Sequence, residues 1–114
     1  MPAAGAGMAR PDRVKLYFDT AKIDPPADTP QQIAKLVDYA KSSPNAKVAI
    51  SGFHDKTGNP EQNAELARNR AMTVLLIFKA AGIPEDRVML MKPEQVEGGP
   101  DDREARRVEV YVAQ

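Results

Sequence analysis

The densest set of chemically capable groups lies in residues 50–71, I-S-G-F-H-D-K-T-G-N-P-E-Q-N-A-E-L-A-R-N-R-A. His54 and Asp55 are adjacent there, and an imidazole beside a carboxylate invites a general-base role. That role needs a nucleophile, and no Ser or Cys sits in a recognisable nucleophile motif; Thr57 is no better placed. A loop histidine without a catalytic partner is the simpler reading of His54. Taken alone, Asp55 reads as a turn or capping aspartate. Arg70 reads alone as a helix arginine, solvated or paired with Glu65 or Glu104. Arg68, two residues away, falls on another helix face and is expected to be solvated. Arg103, Arg106 and Arg107 form a basic cluster, but Asp101, Asp102 and Glu104 interleave with it and largely neutralise it. Met72, Met89 and Met91 are expected in the core rather than at a metal.

Composition removes whole classes of function. The chain has 114 residues, with 16 basic and 16 acidic side chains, one His, no Cys and no Trp. This is the size of one domain, large enough to fold without a disulfide or metal staple. The absence of Cys excludes disulfides, thiolate zinc sites, iron–sulfur clusters and a Cys nucleophile. A single His excludes a His-rich metal site, and no cofactor is expected. A formal net charge of zero argues against a nucleic-acid binder, which would carry a basic surplus to track phosphates. No stretch approaches the apolar length of a membrane span. Residues 1–9 lack the basic start and long apolar centre of a signal peptide, so any export signal or membrane anchor is expected outside this chain. Residues 1–12 are expected to be a flexible linker remnant, with the domain over 13–114.

The elements that must position these groups follow from periodicity. Residues 14–18, V-K-L-Y-F, predict a strand. A breaker at 24–28 precedes Thr29, Pro30 and Gln32, which predict a helix start with a hydroxyl cap, Pro at the first helical position and a capping box. Ile33, Leu36, Val37 and Ala40 then fall on one face of a helix ending near 42–44. Residues 47–51 predict a second strand and 52–58 a loop. Asn59 and Pro60 open a long helix to about Ala81, with Ala67, Ala71, Val74, Leu75 and Phe78 on its apolar stripe. Gly82 supplies a left-handed stop. Residues 88–91 predict a third strand, 92–99 a loop and 101–105 one helical turn. A last strand over 106–112 turns Val108, Val110 and Val112 inward and Glu109 and Tyr111 outward. Strands separated by helices predict an α/β two-layer sandwich, β-α-β-α-β-(short α)-β. Its sheet is expected to be mixed and four-stranded, with two main helices on one face.

The ordered set Gly52, Asp55, Gly58, Asn63, Leu66, Arg70 and Ala71 resembles the OmpA-like peptidoglycan-binding domain. That family carries G-H-T-D-x-x-G, four residues, then N-x-x-L-S-x-x-R-A, and these positions match in register without a gap. The resemblance extends to Y-F-D-T-A at 17–21, A-G-I-P-x-x-R-V at 81–88 and R-R-V-E-V at 106–110, so it covers about residues 14–113. It implies non-catalytic binding of the diaminopimelate in the stem peptide of peptidoglycan, on the periplasmic face of a Gram-negative-type envelope. A larger protein would be tethered to the wall, with membrane attachment only through segments outside this chain. The ligand group would be a zwitterion. A fixed aspartate accepts from its ammonium, and an arginine fork grips its carboxylate with two parallel bonds that Lys cannot make. The resemblance places these roles on Asp55 and Arg70, gives Asn63 a role in positioning the loop or the ligand, and completes the pocket with Arg106 and backbone groups of Asp19 and Ala21.

This chain departs from the family pattern at Phe53, where the family has His, and at His54, where it has Thr. Ala67 stands for Ser and Ala105 for Asn, and residues 92–104 are shorter and lack a G-x-G-E loop. A second reading therefore stands beside the first: a fold that has lost wall binding and acts as a protein-interaction or assembly module of a membrane complex. A pocket blocked by Phe53 or His54, or an Arg70 locked to Glu65 or Glu104, would favour it. The first reading expects Arg70 to be exposed and its replacement by Ala to cost little stability.

Overall fold

The computed structural model describes residues 10–55, 58–96 and 103–113. Residues 1–9 of the expected linker lie outside these, as do Lys56, Thr57 and residues 97–102.

Two strands form the centre of the sheet. β2 (Lys47–Asp55) and β5 (Arg107–Ala113) pair antiparallel, from Lys47 opposite Ala113 to Gly52 opposite Val108. β1 (Val14–Tyr17) flanks β5 antiparallel, and β3 (Val88–Leu90) flanks β2 in parallel, giving the order β1-β5-β2-β3. A fifth strand, β4 (Glu94–Val96), pairs in parallel with the far end of β2. The helices are α1 (Thr29–Gln32), α2 (Ala34–Ser42) and α3 (Pro60–Ala80), with short 3₁₀ turns at Glu85–Arg87 and Arg103–Arg106. The α/β sandwich expected from the sequence is thus present, with five strands rather than four.

The extra strand has an identifiable cause. Gly52 and the turn-forming residues after it read as the end of β2. The strand instead runs on to Asp55, because Phe53, His54 and Asp55 find backbone partners at Glu94, Gln95 and Val96. Gly52 is there for clearance. A Cβ at this position would lie 2.5 Å from the carbonyl oxygen of Ala67, so only glycine lets α3 approach the strand this closely. His54 and Asp55 are therefore fixed on a paired strand rather than carried on a loop.

The single predicted first helix is broken at Ile33, whose φ of −95° and ψ of 2° leave helical geometry. Ile33 is fully buried, and the core position of its side chain is kept at the cost of one turn of regularity. The expected capping box does not form around Thr29. Thr29 is buried and donates its hydroxyl to Pro26 O (2.6 Å), while Asp28 precedes the helix and accepts from Gln32 Nε2 (2.9 Å). At α3 the expected cap does form: the Asn59 side chain accepts from Glu61 N (2.9 Å) and Gln62 N (3.2 Å). Gly82 takes a φ of +100°, the left-handed stop foreseen.

The core lies between the helices and the inner sheet face. Leu16, Val48, Ile50, Val108 and Val110 meet Leu36, Val74, Phe78 and Ile83 there. Met72, Met89 and Met91 do not join it and are 41%, 37% and 38% exposed. Met72 falls off the α3 stripe, and Met89 sits on the edge strand β3, which has one neighbour. Arg87 ties the layers together. Its guanidinium donates to Ala40 O (2.6 Å), Ser43 O (2.7 Å) and Ala46 O (2.8 Å), satisfying carbonyls where α2 ends and β2 begins.

The outer sheet face carries a buried carboxylate. Glu109 accepts from Arg13 Nη1 and Arg107 Nε, each at 2.6 Å. Arg107 also lies over the Phe53 ring (3.8 Å to the centroid) and donates to Glu104 O (2.6 Å). Tyr17 donates to the Glu104 carboxylate (2.9 Å) and lies under Arg103. Burial raises the pKa of Glu109, but the hydrogen bonds and charges of Arg13 and Arg107 outweigh it and hold the group below the usual carboxylate range.

Two outcomes follow. Gly52→Ala forces α3 off β2 and is expected to cost about 1–3 kcal/mol in urea unfolding; an unchanged midpoint would contradict the close approach. Glu109→Gln is expected to lose about 2 kcal/mol at neutral pH, where the carboxylate is ionised in folded and unfolded chains alike. The stabilisation from a depressed carboxylate pKa is present above the unfolded value and lost as pH falls through the folded one. The gap between wild type and Glu109→Gln should therefore close as pH falls below the ordinary carboxylate range, and a gap independent of pH there would contradict the network.

Candidate functional site

At the C-terminal end of β2, four segments enclose a pocket of about 170 Å³. The β2 end contributes His54 and Asp55, the first half of α3 contributes Asn63, Leu66 and Arg70, and the segments around β1 and β5 contribute Thr20, Ala21, Ala105 and Arg106.

Arg70 is the side chain around which the pocket is organised. The α3 register places it one position before Ala71 of the apolar stripe, and it is 2% exposed. Its Nε donates to Lys22 O (2.7 Å) and its Nη2 to Asp19 O (3.1 Å), and its guanidinium carbon lies 5.4 Å from the centroid of the buried Phe18 ring. Among the described residues no carboxylate forms a salt bridge with it. The expectation of an exposed Arg70 is thereby corrected: the loop after β1 folds over the guanidinium because its carbonyls need a donor and the charge needs polar partners. Burial lowers the Arg70 pKa, and the positive charge of Arg106 lowers it further. Two guanidinium groups on one small pocket make it electrostatically suited to an anion.

Arg106 is set by a reciprocal pair with Phe18. Its Nε donates to Phe18 O (3.0 Å) and its carbonyl accepts from Phe18 N (2.8 Å). Asn63 Nδ2 donates to Asp55 O (3.3 Å), so it ties the start of α3 to the end of β2. Ala21 has a φ of +62°, a left-handed conformation that costs an L-residue on the order of 1 kcal/mol. That turn presents Asp19 O and Lys22 O to Arg70.

Of the six residues singled out in the sequence, Ala21, Asp55, Asn63, Arg70 and Arg106 line one pocket. Asp19 acts behind it, through its carbonyl on Arg70. Thr20, Leu66, Ala105 and His54 also line it. Thr20, Leu66 and Ala105 sat inside or beside the matched motifs and could have been named from them. His54 reads as a loop histidine only if β2 ends near Gly52; the strand runs on to Asp55 and carries it. Phe53 faces the outer side of the sheet beneath Arg107 and does not enter the pocket. Arg70 is not locked to Glu65 or Glu104; Glu104 engages Tyr17 and Arg107 instead. Among the described residues no cluster of three His, Cys, Asp or Glu could hold a metal, and no helix is long and apolar enough to cross a membrane.

A two-layer α/β domain with a compact pocket at one sheet end, into which charged side chains are brought together, defines the class. A family model described as OmpA family matches residues 17–109, and the chain belongs to that family. Among curated proteins it is 34% identical over 83 residues to the peptidoglycan-associated lipoprotein of Legionella pneumophila, covering 67% of this chain and 47% of that protein. It is 29% identical over 80 residues to outer membrane protein A of Buchnera aphidicola, covering 69% of this chain and 23% of that protein. The chain thus spans less than half the length of these relatives. Among solved structures, the OmpA-like domain of FopA1 from Francisella tularensis superposes with a TM-score of 0.73 at 22% identity, covering 89% of this chain and 71% of that one. The peptidoglycan-associated lipoprotein of Burkholderia pseudomallei gives 0.72 at 20% identity, covering 88% and 90%. The periplasmic domain of Helicobacter pylori MotB gives 0.66 at 16% identity, covering 96% and 80%. At these identities the structural likenesses establish the fold.

The burial of Arg70 has a measurable consequence. Arg70→Ala leaves two loop carbonyls without their donor and is expected to destabilise the domain by about 2–3 kcal/mol, read from the urea midpoint. A midpoint equal to that of the parent would contradict the tie between α3 and the loop after β1.

Proposed function

We propose that this chain is a non-catalytic cell-wall-binding module that holds peptidoglycan through the diaminopimelate of its stem peptide. The domain over residues 13–114 would sit on the periplasmic side of a Gram-negative-type envelope. Residues 1–12 would lead to it from a membrane-tethered segment of a larger protein. Family membership and the peptidoglycan-associated lipoproteins among its relatives support wall association.

The observation that carries the finer reading is the pocket shared by Asp55, Asn63, Arg70 and Arg106. The amino-acid head of diaminopimelate is a zwitterion on one carbon. Its carboxylate suits two guanidiniums whose mutual repulsion an anion would relieve, and its ammonium suits the carboxylate of Asp55. Arg70 arrives at the ligand already oriented, because its Nε–H and one N–H of Nη2 are held by backbone carbonyls, which leaves Nη1 and the second N–H of Nη2 as the fork. Fixing the fork before binding lowers the ordering cost of association. Two charge-assisted anchors, less that cost, give an affinity on the order of micromolar to millimolar for a free fragment. Retention at the wall then depends on tethering and on many copies rather than on one tight site. Phe53 does not enter the pocket, and among the described residues no carboxylate forms a salt bridge with Arg70; both support wall binding over the reading in which it has been lost, while His54 does line the pocket.

The test is co-sedimentation with insoluble peptidoglycan. Asp55→Asn keeps the shape of the side chain and removes its charge, and is expected to lower the bound fraction at least tenfold while the circular dichroism spectrum stays that of the parent. Arg70→Lys, which keeps the charge and loses the fork, should fail likewise. Undiminished sedimentation of Asp55→Asn would contradict the assigned site.

A further inference from the structure

His54 lines the pocket, is half-buried, and has no role in the reading above. Its Nδ1 lies 2.9 Å from Asp55 O. A carbonyl oxygen can only accept, so in this hydrogen bond Nδ1 carries the proton. In the neutral form of the ring the lone pair is then on Nε2, which makes no hydrogen bond among the described residues. The same Asp55 carbonyl also accepts from Asn63 Nδ2, so the imidazole is pinned to a fixed point of the pocket wall. The result is a rigid hydrogen-bond acceptor with its tautomer set by the strand end that carries Asp55.

Ligand chemistry gives such an acceptor a purpose. An ammonium has three N–H donors, and in a confined site each donor left unpaired costs affinity. One carboxylate does not satisfy all three. Resting on the diaminopimelate reading, we propose that His54 is a specificity-determining residue whose Nε2 accepts a hydrogen bond from the ligand's ammonium, beside Asp55. The chain has one histidine, so its ring nitrogens give an unambiguous signal.

The experiment is a titration of the ¹⁵N-labelled domain with meso-diaminopimelate and, separately, with pimelate. Pimelate has the same chain and carboxylates but no amino groups. The expected result is an Nε2 resonance that starts as an unprotonated nitrogen, moves upfield with diaminopimelate without gaining a proton, and stays in place with pimelate. His54→Leu should weaken diaminopimelate binding about tenfold, and His54→Gln, which restores an acceptor, should recover most of the loss. Shifts of the pocket amides with a static Nε2, an equal Nε2 response to pimelate, or undiminished binding by His54→Leu would overturn this role and leave the wall-binding reading intact. No response anywhere in the pocket at millimolar diaminopimelate would overturn both.

Discussion

A buried arginine with no carboxylate in salt-bridge range among the described residues is the constraint on which the pocket depends. Arg70 cannot give up its charge, so burying it requires dipoles to replace water. The chain supplies them as Asp19 O and Lys22 O, on a turn that Ala21 makes by entering the left-handed region. One interaction thereby fixes three things: where the loop after β1 lies, how the guanidinium is oriented, and which of its faces is left for a ligand. The nearby Arg106, set by Phe18, brings a second positive charge close to Arg70 and lowers the Arg70 pKa further.

The two sides of the sheet have separate duties. The inner face carries the apolar core and, at one end, the pocket. The outer face carries a network around Glu109, in which Arg13 and Arg107 converge on one buried carboxylate and Arg107 covers Phe53. Arg107 follows Arg106 directly, so whatever holds the first guanidinium outside also fixes the backbone that delivers the second inside. Gly52 sits between these duties. By admitting the backbone of α3 to within contact of β2, it brings Asn63 and Arg70 to the strand end that carries His54 and Asp55.

Much of this was legible in the sequence. The alternation of Val108, Val110 and Val112 gave the inner face of β5, and the Asn59–Pro60 start and Gly82 stop gave α3 nearly to the residue. The family resemblance, not their own residue types, singles out Asp55, Asn63 and Arg70, and these do line one pocket. Illegible features were those decided by partners distant in sequence. β2 extends past Gly52 because residues 94–96 pair with it, which no local pattern announces. Arg70 reads as solvated from its charge, and its burial depends on carbonyls some fifty residues earlier. Met89 and Met91 read as core from their hydrophobicity, yet Met89 on the edge strand β3 and Met91 just past its end are left partly open. His54 was misjudged for the same reason as β2, since a histidine on a paired strand is fixed where one on a loop is not.

The central claim is that the pocket at the end of β2 holds the stem peptide of peptidoglycan. A two-dimensional NMR titration of the labelled domain with a soluble muropeptide tests it most directly. Binding at the pocket predicts amide shifts concentrated at residues 19–21, 54–55, 63–70 and 105–106, saturating at micromolar to millimolar ligand. A spectrum unchanged at millimolar muropeptide, or shifts centred on the outer face around Glu109, would contradict it.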